Sequence, residues 1–176
     1  MLQMADAPQV TSMMPRALDD LYADYHNTVF AAAYRVTGSV ADAEDVLHTV
    51  FLRLLKLGEA AQLGNAESYL RRAAVNAALD IVRARRTVDV ELDRMPQIGR
   101  NAFDELKNDD LRRQIREALA ELPERTAEIF VLRHFEDRRN PEIARMLGIS
   151  QISVAVTLHR ARKKLQESLR RVGVKQ

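Results

Sequence analysis

The stretch from Leu122 to Leu165 combines a turn signal with capped helices and a dense block of positive charge. Ser150 is a good N-cap residue, and it follows the turn residues Gly148 and Ile149. Pro141 suits the first position of the preceding short helix, where its missing N–H costs nothing. A short helix, a glycine turn and a second capped helix predict a helix-turn-helix unit, and the charge predicts contact with DNA phosphates.

The last helix of this unit should have two different faces. Apolar residues recur at spacings of four, three and four and predict an inward stripe of Val154, Leu158, Ala161 and Leu165. The opposite face carries Val156, His159, Arg160 and Lys163, with Arg162 and Lys164 on its flanks. This layout is typical of a recognition helix in a major groove. A basic helix can also be only a solvated surface, but the glycine turn and the caps favour DNA binding.

The distribution of charge supports this placement. The chain has a net charge of +2, but residues 1–87, 88–121 and 122–176 carry −1, −3 and +6. A basic C-terminal part and an acidic middle part are therefore expected, and this asymmetry says more about partners than the total does.

The rest of the chain has helical periodicity. The predicted helices are Ala17–Thr37, closed by Gly38; a second that Ser39 and Asp42 cap, ending near Leu57; a third that Asn65 caps, ending near Arg86; Asp104–Glu121; Glu124–Glu136; Pro141–Leu147; and Gln151 to about Arg171. Sustained period-two alternation does not occur, so the predicted fold is all-α.

Composition divides the chain into two small helical domains. Residues 88–103 interrupt the helical pattern, contain Pro96 and Gly99, and cluster acidic side chains, so they predict an acidic linker. The expected organisation is a flexible tail at 1–15, an N-terminal domain at 16–87, the linker, and a C-terminal helix-turn-helix domain at 104–171.

Several classes of function are disfavoured. The chain has no cysteine, which excludes disulfides and thiolate metal sites, and its four histidines show no ligand spacing. No combination of nucleophile, base and orienting group is evident, so we expect neither an enzyme nor a cofactor. Because no apolar run approaches a membrane span and no signal-peptide core is present, we expect a cytoplasmic protein without membrane insertion.

The second and third helices carry polar residues on their predicted outer sides. In the second, Val46, Leu47, Val50, Phe51 and Leu54 should point inward, and Asp42, Asp45, Thr49, Arg53 and Lys56 outward. Acids in a first turn and bases in a last turn also suit the helix dipole, which would explain these charges without any partner. In the third, Arg72, Asn76, Asp80 and Arg83 form a polar stripe opposite Leu70, Ala74, Ala77 and Ile81.

Several motifs follow one another along the chain: DAEDVLHTVFLRLLK, SYLRRAAVNAALDIVRARR, a linker, LPERTAEIFVLR, EIARMLGIS and HRARKKL. Their order resembles that of bacterial RNA polymerase sigma factors of the extracytoplasmic-function class. The resemblance covers roughly residues 17–171. It implies an N-terminal domain that binds the clamp coiled coil of the β′ subunit and opens the minus-ten element. It also implies a C-terminal domain that binds the β flap and reads the minus-thirty-five element. A separate regulatory partner, an anti-sigma factor, is also expected.

Site residues follow from the same resemblance. It assigns polymerase binding to Asp42, Glu44, Asp45 and Phe51. It assigns minus-ten DNA to Asn76, Asp80, Arg83, Arg85 and Arg86, and the polar stripe itself adds Arg72 and the neighbouring aromatic Tyr69, which could stack on an exposed base. It aligns Ser153, Ala155, Val156, His159 and Arg160 with the helix that reads the minus-thirty-five element, and the basic face of that helix adds Lys163.

The chain also departs from the family pattern. The family often has Gln-Glu at His48 and Thr49, Trp at Tyr69, and polar residues at Ala155 and Val156. The last departure predicts a groove that is read partly by apolar contact, for example with thymine methyl groups. Arg138 and Arg139 replace the usual residues before the short helix, and they predict either extra phosphate contacts or a solvated turn.

Two other functions are compatible with these residues. One is a stand-alone regulator that binds an operator while residues 16–87 dimerise or sense a signal. The other is an adaptor that mimics a sigma domain to sequester an inhibitor. Initiation of promoter-specific transcripts with core polymerase would distinguish a sigma factor from both. The sequence identifies neither the promoters nor the activating signal.

Overall fold

A computed structural model describes residues 13–57, 65–85 and 109–171. The described residues form the helices α1 Met13–Thr37, α2 Val40–Leu57, α3 Ala66–Arg85, α4 Asp109–Ala120, α5 Glu124–His134, α6 Asn140–Leu147 and α7 Gln151–Arg171. This part of the chain contains no strand, which confirms the all-α prediction. Among the described residues, no helix has the length and hydropathy of a transmembrane span.

The first three helices pack around one apolar core. Val29, Leu54 and Leu70 are fully buried there, one from each helix. The α1–α2 junction depends on Gly38, which adopts a positive φ of 70° and lies against the guanidinium of Arg116. Any β-carbon at this position would therefore be strained by the backbone conformation and would also collide with that side chain.

The last four helices form a second unit around α7, which packs against α4, α5 and α6. Gly148 ends α6 in the left-handed conformation, and its N–H group bonds to the carbonyls of Ala144 and Arg145. Ser150 then caps α7, because its Oγ accepts the N–H of Ser153 at 3.1 Å. The predicted helix-turn-helix and both of these end signals are confirmed.

The two units contact each other, mainly where α3 meets α4 and α5. Arg116 of α4 donates from Nε to the carbonyl of Val36 at 3.0 Å, and so satisfies one of the last carbonyls of α1. Hydrophobic periodicity did not predict this contact, since it indicates which face is apolar but not what meets the polar face.

Most predicted helix ends are correct within a few residues. Asn65 caps α3 as expected, accepting the N–H of Ser68 at 2.9 Å. Helix α1 begins at Met13, so residues 13–15 of the predicted tail are helical, and α5 ends at His134 instead of Glu136. The chain turns after α5, where Asp137 has a positive φ of 49°. The remainder of the predicted tail, the loop at 58–64, the linker at 88–103, the predicted helix start at 104–108 and Arg86 lie outside the described residues.

Candidate nucleic-acid interface

Helix α7 has the two faces that its sequence predicts. Val154, Leu158, Ala161 and Leu165 are buried against the other helices. The predicted DNA residues of this helix, Ser153, Ala155, Val156, His159, Arg160 and Lys163, are exposed. Ile152 is also exposed, at 76% of its surface, and was not predicted to belong to this face. Its spacing of four residues from Val156, which places the two on one side of a helix, is the signal in the sequence that could have identified it.

The cations of this face are available for an anionic partner. Arg160, Arg162, Lys163 and Lys164 are exposed, and none forms an ion pair with a carboxylate in the part of the chain that the structure describes. Phosphate contacts would therefore not first require the disruption of an internal pair.

The polar stripe of α3 faces α5. Arg72, Asn76, Asp80 and Arg83 line a cleft of about 320 Å³ together with Glu124, Arg125 and Glu128. The carboxylate of Glu128 is almost fully buried and accepts from Arg72 Nε at 2.8 Å and from Asn76 Nδ2 at 3.2 Å. Asn76 is exposed as expected, yet its amide already has this partner. Two predicted minus-ten side chains are thus bound to a carboxylate of the other unit.

The remaining predicted minus-ten residues have different surroundings. Tyr69 is exposed at 37% of its surface and lines a second cleft of about 420 Å³ with Arg71, Arg72, Arg138 and Arg145 among others. Arg83 pairs with Asp80 at 3.4 Å, which keeps both side chains on the stripe. Arg85 lies on another side of α3 and binds α2 instead.

A second carboxylate joins the two units. Glu136 has no exposed side-chain surface and binds Arg35 of α1 at 3.0 Å and Arg71 of α3. Beside it, Glu67 accepts from Arg71 at 2.8 Å and from Arg138 at 2.9 Å. The hydrogen bond from Arg71 is the main reason that the pKa of Glu67 is lowered. Arg138 therefore forms an internal ion pair instead of lying in a solvated turn, and the phosphate contact that was the other alternative for it stays a prediction.

Helix α2 corrects one predicted orientation and identifies a wider outer face. Asp42 was expected outward, but it is buried and its carboxylate lies 2.6 Å from Arg85 Nη2. Its position over α3 explains this, and burial raises its pKa against the opposing effect of Arg85. Phe51 is buried as its inward position required. The exposed residues of this helix include Glu44, Asp45, His48, Leu52 and Leu55, and the two leucines are each 55% exposed. Arg53 and Lys56 are exposed as predicted.

The structure gives no indication of a metal centre in the described residues, where no three histidine, aspartate or glutamate side chains cluster. His134, near the end of α5, has a pKa lowered to about 4, chiefly by burial and then by Arg162 and Arg133. It is therefore neutral at physiological pH and packs against the ring of Phe130, with centroids 4.5 Å apart.

The fold and these faces define a helical DNA-binding protein built from two units, and comparison with known proteins identifies its family. Residues 21–88 match the family model described as sigma-70 region 2, and residues 112–165 match sigma-70, region 4. The chain is 30% identical over 169 residues to the ECF RNA polymerase sigma factor SigE of Mycolicibacterium smegmatis, covering 93% of this chain and 65% of that protein.

Two further relatives agree. The RNA polymerase sigma-E factor of Streptomyces coelicolor is 31% identical over 144 residues, which cover 81% of this chain and 80% of that protein. The ECF RNA polymerase sigma factor SigW of Bacillus subtilis is 25% identical, with 88% and 89% covered. The chain therefore belongs to the sigma-70 family, in its extracytoplasmic-function class, a family of transcription initiation factors that direct RNA polymerase to promoters.

Proposed function

We propose that this chain binds core RNA polymerase, reads the minus-thirty-five element with α7 and holds the unpaired bases of the minus-ten element with α3. The observation that carries the proposal is the exposed face of α7 in a helix-turn-helix, whose cations form no ion pair with any carboxylate among the described residues. Its match to region 4 and the match of α1–α3 to region 2 support the division of roles. We keep the two-domain division at 16–87 and 104–171 as part of this proposal.

The polymerase surface proposed here is the exposed face of α2. Glu44 and Asp45 supply negative charge near the start of the helix, and Leu52 and Leu55 supply apolar area nearer its end. Exposed apolar side chains rimmed by charge are typical of a protein interface. Asp42 and Phe51 would act from beneath by positioning this face, because both are buried. The partner is the clamp coiled coil of β′, and the C-terminal unit would bind the β flap.

The minus-ten surface proposed here is the α3 stripe. Tyr69 could stack on an unpaired base, and Arg72, Asn76, Asp80 and Arg83 would contact bases and backbone beside it. Arg85, which pairs with Asp42, would support the stripe from its base. Arg86 extends the same run of positive charge in the sequence. Binding of unpaired bases offsets the cost of opening the duplex, and the polymerase performs the chemistry without a cofactor from this chain.

The two units would separate on the promoter. The minus-ten and minus-thirty-five elements are about 25 base pairs apart, which is roughly 85 Å of B-DNA at about 34 Å per helical turn. A compact chain of this length has a radius of gyration of only about 16 Å. Simultaneous contact with both elements therefore requires α5 to leave α3, which would release Arg72 and Asn76 from Glu128.

Because core polymerase and promoters lie in the bacterial cytoplasm, the chain would act there. An anti-sigma factor is the proposed regulator. It would keep the chain from core polymerase until a signal arrives.

Transcription reconstituted from core polymerase and the purified chain tests this function. We expect transcripts from a defined set of start sites in a genomic library, and none with core polymerase alone. Asp45→Lys should reduce competition for core, and Glu117→Lys, at an exposed position of α4, is the matched control. A chain that binds duplex DNA but initiates no RNA would instead be an operator-binding regulator. A chain that binds neither DNA nor core would fit an adaptor.

A further inference from the structure

Two aliphatic side chains stand at the centre of the exposed face of α7. Ile152 is 76% exposed and Val156 is 43% exposed. At about 100° per residue, Ile152 points within about 40° of Val156, and both point away from the buried stripe. Ile152 lies nearer the middle of this face than the predicted DNA residues Ser153 and Ala155, which lie on its flanks.

Folding does not account for Ile152. It lies outside the core of the C-terminal unit, to which Val154 and Leu158 of the same helix belong. β-branched residues are also poorer helix formers than alanine, so its presence does not favour the helix. The side chain is therefore available to contact a partner.

The surrounding charge identifies that partner as duplex DNA. His159, Arg160 and Lys163 share the exposed face, one and two turns further along. Cations at this position would hold the phosphates and so place the N-terminal half of α7 over the base edges. A protein partner of this face would need acidic groups, whereas DNA supplies negative charge along both edges of the groove.

Aliphatic side chains can distinguish only one feature of the major groove. They neither donate nor accept hydrogen bonds, and the C5-methyl of thymine is the apolar group that the base pairs present there. Residues four apart on a helix rise about 6 Å, which is close to two base-pair steps. Two such residues can therefore touch methyl groups on neighbouring or next-but-one pairs.

We propose that Ile152 and Val156 form an apolar ridge that recognises thymine methyl groups in the minus-thirty-five element. The inference rests on the proposed function and assigns the specificity of that site. Ile152 is its new member, and it would make thymine at one fixed position a determinant of promoter choice.

The test begins with selection from duplexes randomised across the minus-thirty-five region, using the full chain bound to core polymerase. A thymine should be enriched at one or two positions. Each is then replaced by deoxyuridine, which removes only the methyl group, and affinity is measured by titration. We expect the substitution to weaken binding about fourfold at the position that Ile152 contacts, as for one buried methyl or methylene.

The variant Ile152→Ala should bind thymine and deoxyuridine templates equally at that position, and alanine should preserve the helix. Gln151→Ala is the matched control, since Gln151 is an exposed neighbour on another side of α7, and it should keep the fourfold difference. Enriched thymines without methyl sensitivity, or a methyl effect that Ile152→Ala leaves intact, would overturn this inference and leave the proposed function standing. Absence of any enriched sequence with the wild-type holoenzyme would instead reject the proposed reading of this element, and the inference with it.

Discussion

Replacing Glu136 with glutamine should loosen the contact between the two helical units. The Glu136 carboxylate is fully buried and binds Arg35 and Arg71, whose side chains are only 16% and 12% exposed. Glutamine keeps the shape of the side chain but removes its charge. Two poorly hydrated guanidinium groups would then lose a shared counter-ion.

The size of the effect follows from the burial of this cluster. Removing one partner from a buried ion pair costs about 3 to 5 kcal/mol. Arg71 would retain Glu67 at 2.8 Å, so we expect a loss near the lower end, about 3 kcal/mol. For a chain of this length, that corresponds to a lowering of Tm by about 6 to 12 °C if the units unfold together.

Calorimetry and a distance measurement would separate stability from docking. The chain has no cysteine, so spin labels can be attached at Asp20→Cys on α1 and Glu167→Cys on α7 without interference. We expect Glu136→Gln to lower the Tm and to broaden the distribution of label distances. The control is Glu117→Gln, which removes an exposed pair with Arg113 and should change stability by less than about 1 kcal/mol. An unchanged distance distribution and an unchanged Tm would refute the role assigned to Glu136.

Four further predictions concern single side chains. Lys163→Ala should weaken binding to all duplexes similarly and reduce the salt slope by about one, as measured by filter binding at several salt concentrations. Asp45→Lys should reduce competition with a housekeeping sigma factor for limiting core while helical content by circular dichroism stays unchanged. Asn76→Ala should slow open-complex formation on duplex promoters more than on templates mismatched across the minus-ten element, at a stability cost of about 1 kcal/mol for the lost bond to Glu128. The wild type should lose stability as the pH falls from about 6.5 to about 4, because His134 binds a proton there in the unfolded chain and not in the folded one. His134→Phe should abolish this loss, which denaturant titrations should measure as at most about 3 kcal/mol in the free energy of unfolding.

The sequence predicted those parts of the fold that depend on local signals. Ser150, Asn65 and Gly148 lie at helix ends because their caps and left-handed conformation are properties of a few neighbouring residues. The apolar stripe of α7 was likewise readable, since burial of one face repeats with the helical period. These signals do not depend on the rest of the chain.

The contacts of the polar faces could not be predicted in this way. Glu136 meets Arg35 across 101 positions of sequence and Arg71 across 65. Periodicity marks such residues as outward from their own helix, and it does not distinguish solvent from another unit. Asp42 shows the same difficulty, because a first-turn acid can serve the helix dipole or bind a neighbouring arginine, and here it is buried against Arg85. Ile152 was missed because an exposed aliphatic residue breaks no periodic pattern.

The arrangement in which the two units contact each other affects the three proposed surfaces differently. The outer faces of α2 and α7 are exposed in it, whereas Arg72 and Asn76 of the α3 stripe are bound to Glu128. A ligand shifts a conformational equilibrium only by its difference in affinity for the two states. A duplex that carries only the minus-thirty-five element would bind α7 with equal affinity whether the two units are in contact or apart, and so would not separate them. In the proposed function, separation would then depend on the minus-ten bases and on a polymerase that holds the two units apart, and opening of the protein would be coupled to opening of the promoter.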